Sequence, residues 1–126
     1  MTQTVTFHDL QGASVFITGG GSGIGAALTE GFLKQGASVS FVQRSDSSEF
    51  VAQMLEIYGR APNFIRCDIS DVESLQAAIH QAEALQGPIN VLVNNAANDA
   101  RHTLADYSVE QWDQGMAVNL RPHFFA

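Results

Sequence analysis

Five of the eight residues from Thr18 to Gly25 (TGGGSGIG) are glycine, and they lie between an apolar run and an amphipathic stretch. Strand, glycine turn and helix, in that order, are what phosphate binding demands. A tight turn needs residues that tolerate positive φ, and a pyrophosphate approaches closely only where the backbone carries no Cβ. The first turn of the helix then presents free N–H groups and a partial positive charge to the anion. Spacing separates the kinds of phosphate binder. Gly20 and Gly25 have the separation of a P-loop, but Ala26 stands where its lysine must be, and no three glycines match G-x-G-x-x-G. The spacing that fits is T-G-x-x-x-G-x-G. It makes Gly19, Gly21, Ser22, Gly23, Ile24 and Gly25 the candidate contacts for the phosphates of a dinucleotide.

The elements that must position this loop alternate in type. Ala13 to Thr18 is continuously apolar, as suits a strand covered on both faces. Ile24 to Gln35 carries Ile24, Leu28, Phe32 and Leu33 at helical spacing, and Gly36 supplies a stop. Ala37 to Val42 reads as a second strand, Glu49 to Tyr58 as a second helix with Phe50, Met54, Leu55 and Tyr58 on one face, and Asn63 to Cys67 as a third strand. Ser70 to Glu73 has the pattern of a capping box for a helix through Leu75, Ile79 and Leu85 that ends at Gly87-Pro88. Ile89 to Val93 is a fourth strand. A polar loop, Asn98 to Tyr107, leads to a second cap at Ser108 to Gln111, and the helix from Trp112 to Ala126 should bend or break at Pro122. This alternation predicts an α/β fold, a Rossmann-type doubly wound parallel sheet of four strands in the order 3-2-1-4, with right-handed crossovers.

Thr18-Gly19-x-x-x-Gly23-Ile24-Gly25 resembles the glycine motif of the short-chain dehydrogenase/reductases, and three further landmarks of that family follow in its order. Cys67-Asp68-Ile69 resembles the end of its third strand, which implies that Asp68, with Ile69, holds the adenine ring. Ile89 to Ala97 (INVLVNNAA) is similar to the segment that closes the fourth strand beside the cofactor ribose, implicating Asn95 and Ala96. Trp112 to Leu120 (WDQGMAVNL) resembles the stretch whose asparagine belongs to the catalytic tetrad, which makes Asn119 the catalytic candidate. Ala97 departs from the family's usual glycine and Asn90 from its frequent aspartate. The resemblance implies hydride transfer between NAD(P) and an alcohol or carbonyl.

The residue ending the second strand is expected to choose the cofactor. An acidic side chain there accepts from the adenosine ribose and repels a 2′-phosphate. Here the position is the neutral Gln43, followed by Arg44, whose planar fork suits a 2′-phosphate. Ser22 in place of a second base, and the nearby Asp46, argue the other way. NADP is therefore the expected cofactor, with NAD as the alternative. Asn98, Asp99, Arg101 and His102 follow the fourth strand, at the rim where ligands gather in open α/β sheets, and suit a polyhydroxylated substrate. The cluster is similar to the N-D-x-R-H stretch of bacterial sugar dehydrogenases of the same family.

The acid/base machinery that the family implies is a Tyr, a Lys four places on and a Ser. Tyr58 is followed four places on by Pro62 and Tyr107 by Gln111, and Lys34 is the only lysine. The chain also ends on Phe124-Phe125-Ala126 with no turn residue or polar tail. Residues 1–126 are thus expected to form a dinucleotide-binding domain incomplete at its C-terminus, inactive alone and prone to self-association through an exposed sheet edge. The alternative is a non-catalytic dinucleotide-binding or scaffold protein. A net charge of −7 with six Lys and Arg, scattered along the chain, argues against a nucleic-acid partner. No apolar run is long enough for a membrane span, no signal segment opens the chain, and the expected location is cytoplasmic. Cys67, the single cysteine, reads as a buried, inert thiol. His8, His80 and His123 read as surface or helix residues without metal-ligand spacing, so no metal site is expected.

Overall fold

Every residue of β1 (Ser14–Thr18) is buried, because this strand is central in the sheet and covered on both faces. The computed structural model describes residues 5–126. In it β1 pairs in parallel with β2 (Ser38–Gln43) on one side and with β4 (Val91–Val93) on the other, and β3 (Asn63–Arg66) pairs with β2. The order β3-β2-β1-β4 is the one expected from the sequence. Successive strands are joined by α1 (Gly23–Lys34), α2 (Ser48–Tyr58) and α3 (Val72–Gln86). The chain reverses direction across the sheet after β3, so α1 and α2 cover one face and α3 the other.

The alternation of side chains along β1 and β2 builds two cores. Val15, Ile17, Val39 and Phe41 pack against Leu33 of α1 and Met54 of α2. Phe16 and Val42 face Leu75, Ala78 and Ala82 of α3. Phe41 is fully buried, stacked on Phe64 with centroids 5.3 Å apart and edge-on to Phe50 at 5.9 Å. The α3 face also holds a polar seam. Gln86 Nε2 donates to Ser14 Oγ at 2.9 Å and to the Val15 carbonyl at 3.0 Å, and Ser40 Oγ donates to Gln86 Oε1 at 2.7 Å. Buried hydroxyls in two strands are thereby satisfied by the last residue of α3, which fixes that helix on the sheet.

Several local expectations need correction. The cap of α3 is Asp71, which accepts from Ser74 N–H at 3.2 Å; Ser70 turns its hydroxyl to Asp68 instead, 2.7 Å away. β4 is shorter than Ile89 to Val93, because the side chain of Asn90 takes the Ser14 N–H at 2.9 Å in place of a strand partner. Ile24, Leu55 and Leu85 belong to no core: they are exposed, and Leu75, Ala78 and Ala82 make the buried stripe of α3. The polar loop contains a 3-10 turn, Leu104–Asp106, that carries no hydrophobic period to announce it. The last segment is two helices, α4 (Val109–Asn119) and α5 (Arg121–Phe125), parted at Leu120. Ser108 and Gln111 close a capping box on α4, and Pro122 stands in the first turn of α5, where a missing N–H breaks no bond. His123 lies within α5, as a helix residue, with its Nδ1 buried and without a hydrogen-bond partner among the described residues. No helix among the described residues is long and apolar enough to cross a membrane.

Two outcomes are expected from this packing. Replacing Phe41 by Ala should lower stability in urea unfolding by about 3–5 kcal/mol, the range for a large aromatic removed from a filled core; a loss under 1 kcal/mol would show that the site collapses freely. Cys67 is buried, and burial with Asp68 and Asp71 nearby pushes its thiol up to about 11. At neutral pH alkylation should therefore be slow in the folded chain and fast in urea. Rapid labelling of the native protein would contradict this packing.

Candidate functional site

At the carboxyl ends of β1 and β4, neighbours in the sheet although three connections apart in sequence, the chain continues into α1 and into the 98–107 loop. This is the crevice where open α/β sheets bind ligands. Its floor is a hydrogen-bonded tie. Thr18 Oγ1, fully buried, accepts from the N–H of Asn95 and of Ala96, each at 3.0 Å. Asn95 Nδ2 donates back to the carbonyls of Thr18 at 3.1 Å and Gly19 at 3.2 Å.

The glycines around this tie serve different ends. Gly19 (φ +70°) and Gly23 (φ +54°) adopt left-handed backbone that L side chains rarely take. A Cβ on Gly25 would lie 1.8 Å from the Gly19 carbonyl, so this glycine lets the helix pack against the loop. A Cβ on Gly21 would meet Ser47 Oγ at 2.3 Å. At Gly23 a Cβ would meet no atom within 4 Å, and it would fill the open space in front of α1. Ser22, the N-cap of α1, makes no side-chain cap bond, which leaves the first-turn N–H groups to a ligand. A cradle without Cβ at a helix N-terminus fits the pyrophosphate of a dinucleotide.

Of the twelve residues expected to hold the cofactor, eleven line one open cleft of about 610 Å³: Gly19, Ser22, Gly23, Ile24, Gly25, Gln43, Arg44, Asp68, Ile69, Asn95 and Ala96. Gly21 does not. It lies on Phe41 and Ser47 and offers its N–H to Gln43 Oε1 at 3.2 Å. The exposure of Ile24 is explained by its place in this cleft. Asp68 Oδ1 accepts from the N–H and the hydroxyl of Ser70 at 3.0 and 2.7 Å. Those bonds, with Arg44 behind them, hold its carboxyl below the usual carboxylate value, so it is ionised at neutral pH. Arg44 Nε stands 3.9 Å from Asp68 Oδ2, an exposed and loose pair that leaves the guanidinium able to turn to another anion. Asp46 is turned away: its Oδ1 accepts from the hydroxyl and the N–H of Ser48 at the start of α2.

A second cleft, of about 620 Å³, adjoins the first along Asn98, Asp99 and Val118. Asn98, Asp99, Arg101 and His102 all line it, as does Asn119. Asn119 closes a reciprocal pair with the loop: its Oδ1 accepts from Asn98 N–H at 2.7 Å and its Nδ2 donates to the Asn98 carbonyl at 2.8 Å. Tyr107, Gln111 and Gln114 also line this cleft, and no motif or spacing marks them for it. Tyr107 stacks on His102 with centroids 3.7 Å apart and planes 11° from parallel, and this loop-to-loop aromatic contact leaves no periodic signal. Thr18 was visible only as the first letter of the glycine motif. Cys67 and Val42, also on the first cleft, were hidden as core residues.

With this geometry in hand, comparison with known proteins is informative. The sequence profile of the short chain dehydrogenases matches residues 13–126. A probable galactose dehydrogenase of Rhizobium meliloti is 47% identical over 121 residues, covering 94% of this chain and 47% of that protein. A D-xylose 1-dehydrogenase of Caulobacter vibrioides is 43% identical over 121 residues, covering 94% and 47%. Among solved structures, a blue fluorescent protein from a metagenomic library, in complex with NADPH, superposes with a TM-score of 0.84 at 33% identity, covering 93% of this chain and 49% of that one. The chain spans about half the length of the curated relatives it matches. Its sheet order, its glycine turn and this match along nearly all its length place the chain in the short-chain dehydrogenase family.

Proposed function

We propose that the chain binds a nicotinamide dinucleotide in the first cleft, as the cofactor-holding part of an oxidoreductase that interconverts an alcohol and a carbonyl. The observation that carries this is the uncapped N-terminus of α1, facing open space at Gly23 beside the loop tied down by Thr18 and Asn95. Gly19, Gly23 and Gly25 with the first turn of α1 would hold the pyrophosphate, Asp68 and Ile69 the adenine, and Asn95 and Ala96 the ribose side. The bound cofactor would supply hydride exchange. NADP is the preferred form, because Arg44 is exposed and loosely paired while Asp46 is turned away toward Ser48.

The second cleft is the proposed substrate site, and a sugar its proposed substrate. Asn98, Asp99, Arg101 and His102 offer donors and acceptors to several hydroxyls, and two relatives are dehydrogenases of galactose and xylose. Asn119 is assigned to the catalytic group, where it holds the Asn98 backbone and so the wall shared by both clefts. Neither tyrosine has a lysine four places on, so the acid/base pair of the reaction must come from outside these residues. Residues 1–126 are accordingly read as one incomplete domain. The buried, unpaired thiol of Cys67 suits a reducing compartment, and the proposed location is the cytoplasm.

Self-association belongs to the same proposal. β4 is an edge strand among the described residues, with Leu92 43% exposed, and Trp112, Phe124 and Phe125 are exposed as well. Bare apolar edges pair with other chains unless charged residues interrupt them.

Titration calorimetry tests the cofactor site. Gly23→Val should weaken NAD and NADP at least about tenfold, a loss of about 1.4 kcal/mol or more. Arg44→Ala should cost NADP about 10–100-fold and NAD little, the range for a hydrogen bond to a charged group. Equal affinity of wild type and Gly23→Val would end the assignment. Light scattering should find the wild-type chain associated at physiological salt and Leu92→Lys shifted to monomer. A wild-type monomer at high concentration would remove the edge-pairing proposal.

A further inference from the structure

Serine is among the best N-cap residues, because its hydroxyl accepts a bond from the N–H two or three places on. Two helices of this chain use such a cap. Ser108 takes the Gln111 N–H at 3.1 Å, and Asp71 the Ser74 N–H at 3.2 Å. Ser22 has the extended backbone of an N-cap (φ −149°, ψ 158°), close to that of Ser108 (φ −83°, ψ 164°) in ψ, yet its side chain caps nothing. The difference lies in what each hydroxyl meets. Gln43, the last residue of β2, donates from Nε2 to Ser22 Oγ at 3.0 Å, while its Oε1 accepts from the Gly21 N–H at 3.2 Å. Both ends of one carboxamide are engaged with the glycine loop, and the serine hydroxyl is drawn toward β2 and off the axis of α1.

We propose that Gln43 is a positioning residue for the phosphate cradle: it holds Ser22 away from the first turn of α1, so that the N–H groups of Ile24 and Gly25 stay open to an anion. The inference rests on the reading of this cleft as a dinucleotide site. It separates two neighbours at the end of β2. Arg44 acts on what distinguishes NADP from NAD, whereas Gln43 acts on the pyrophosphate common to both. In the absence of Gln43 the hydroxyl is free to cap the helix, and a ligand phosphate must then displace it.

Amide hydrogen exchange in the ligand-free chain tests the first half. The Ile24 and Gly25 amides should exchange readily in wild type, become several-fold protected in Gln43→Ala, and exchange readily again in the double variant Gln43→Ala/Ser22→Ala. Gln43→Glu, whose carboxylate can accept from both the Gly21 N–H and the Ser22 hydroxyl, should keep the wild-type pattern and serves if the alanine variant folds poorly. Calorimetry with NAD and NADP tests the second half. Gln43→Ala should weaken both alike, by roughly fivefold, the worth of a serine cap, and the double variant should regain most of the loss. Unchanged exchange in Gln43→Ala, an effect on one cofactor only, or no recovery in the double variant would each overturn the proposal. Should wild type bind neither dinucleotide, the reading of the cleft fails, while the exchange pattern still decides whether Gln43 holds Ser22.

Discussion

The hydroxyl of Thr18 accepts two backbone N–H groups from a segment 77 and 78 residues further along the chain, and nearly everything at the carboxyl edge of the sheet depends on those two bonds. They close the turn after β1 onto the turn after β4, and the side chain of Asn95 repeats the closure from the other side through the carbonyls of Thr18 and Gly19. With Gly19 fixed, Gly25 has to be glycine, since its Cβ would overlap the Gly19 carbonyl. With Gly25 against the loop, α1 starts where it does and aims its N-terminus across the crevice. A buried N–H left without a partner costs about 1–3 kcal/mol. Exchange of Thr18 for an isosteric apolar residue would strand two of them at the position where the cleft is assembled. The glycine loop is therefore bonded into the sheet's edge, held by Thr18 and Asn95 on one side and Gln43 on the other, with Phe41 packed against Gly20.

Bonds of this range separate what the sequence discloses from what it hides. Strand order, helix order and the glycine turn were legible because each leaves a local mark: continuous apolarity in Ser14–Thr18, Gly or Pro at helix ends, five glycines in eight residues. The residues that line the first cleft were legible because they lie within a few positions of strand ends, which the pattern located to within one or two residues. Contacts between side chains distant in sequence were not. Ser14, Ser40 and Gln86 form a buried polar seam, but a serine in a strand and a glutamine at a helix end each look like surface residues taken singly. His102 and Tyr107 look like solvated loop residues until they stack. Ser70 and Asp71 compete for one helix cap, and only the third dimension decides that Asp68 claims the hydroxyl of Ser70.

Ile24 shows how a correct motif and a misread period can coincide. Its spacing with Leu28 and Phe32 makes it one of a hydrophobic stripe, yet it stands 76% exposed at the cleft while Thr29 and Leu33 are buried. An apolar residue at the first turn of this helix has no core to join, because the sheet edge has already ended beneath it. Its exposure follows from position on the fold, and the motif marks it where the periodicity misassigns it.

The electrostatics of the cleft must reconcile an acidic chain with the anionic ligand proposed for it. The net charge of −7 acts at long range and is screened within about 8 Å at physiological ionic strength. What the proposed dinucleotide would meet is local: the uncapped N–H groups of α1 and the Arg44 guanidinium. Of the two carboxylates that line the cleft, Asp68 and Asp99, the first is engaged by the two Ser70 bonds and by Arg44. The groups that would attract an anion here are therefore backbone N–H groups and one guanidinium, and on the proposed reading the phosphates would lie against them. Groups of that kind act at contact distance, which is why the chain's overall charge and the charge that the proposed site presents can differ in sign.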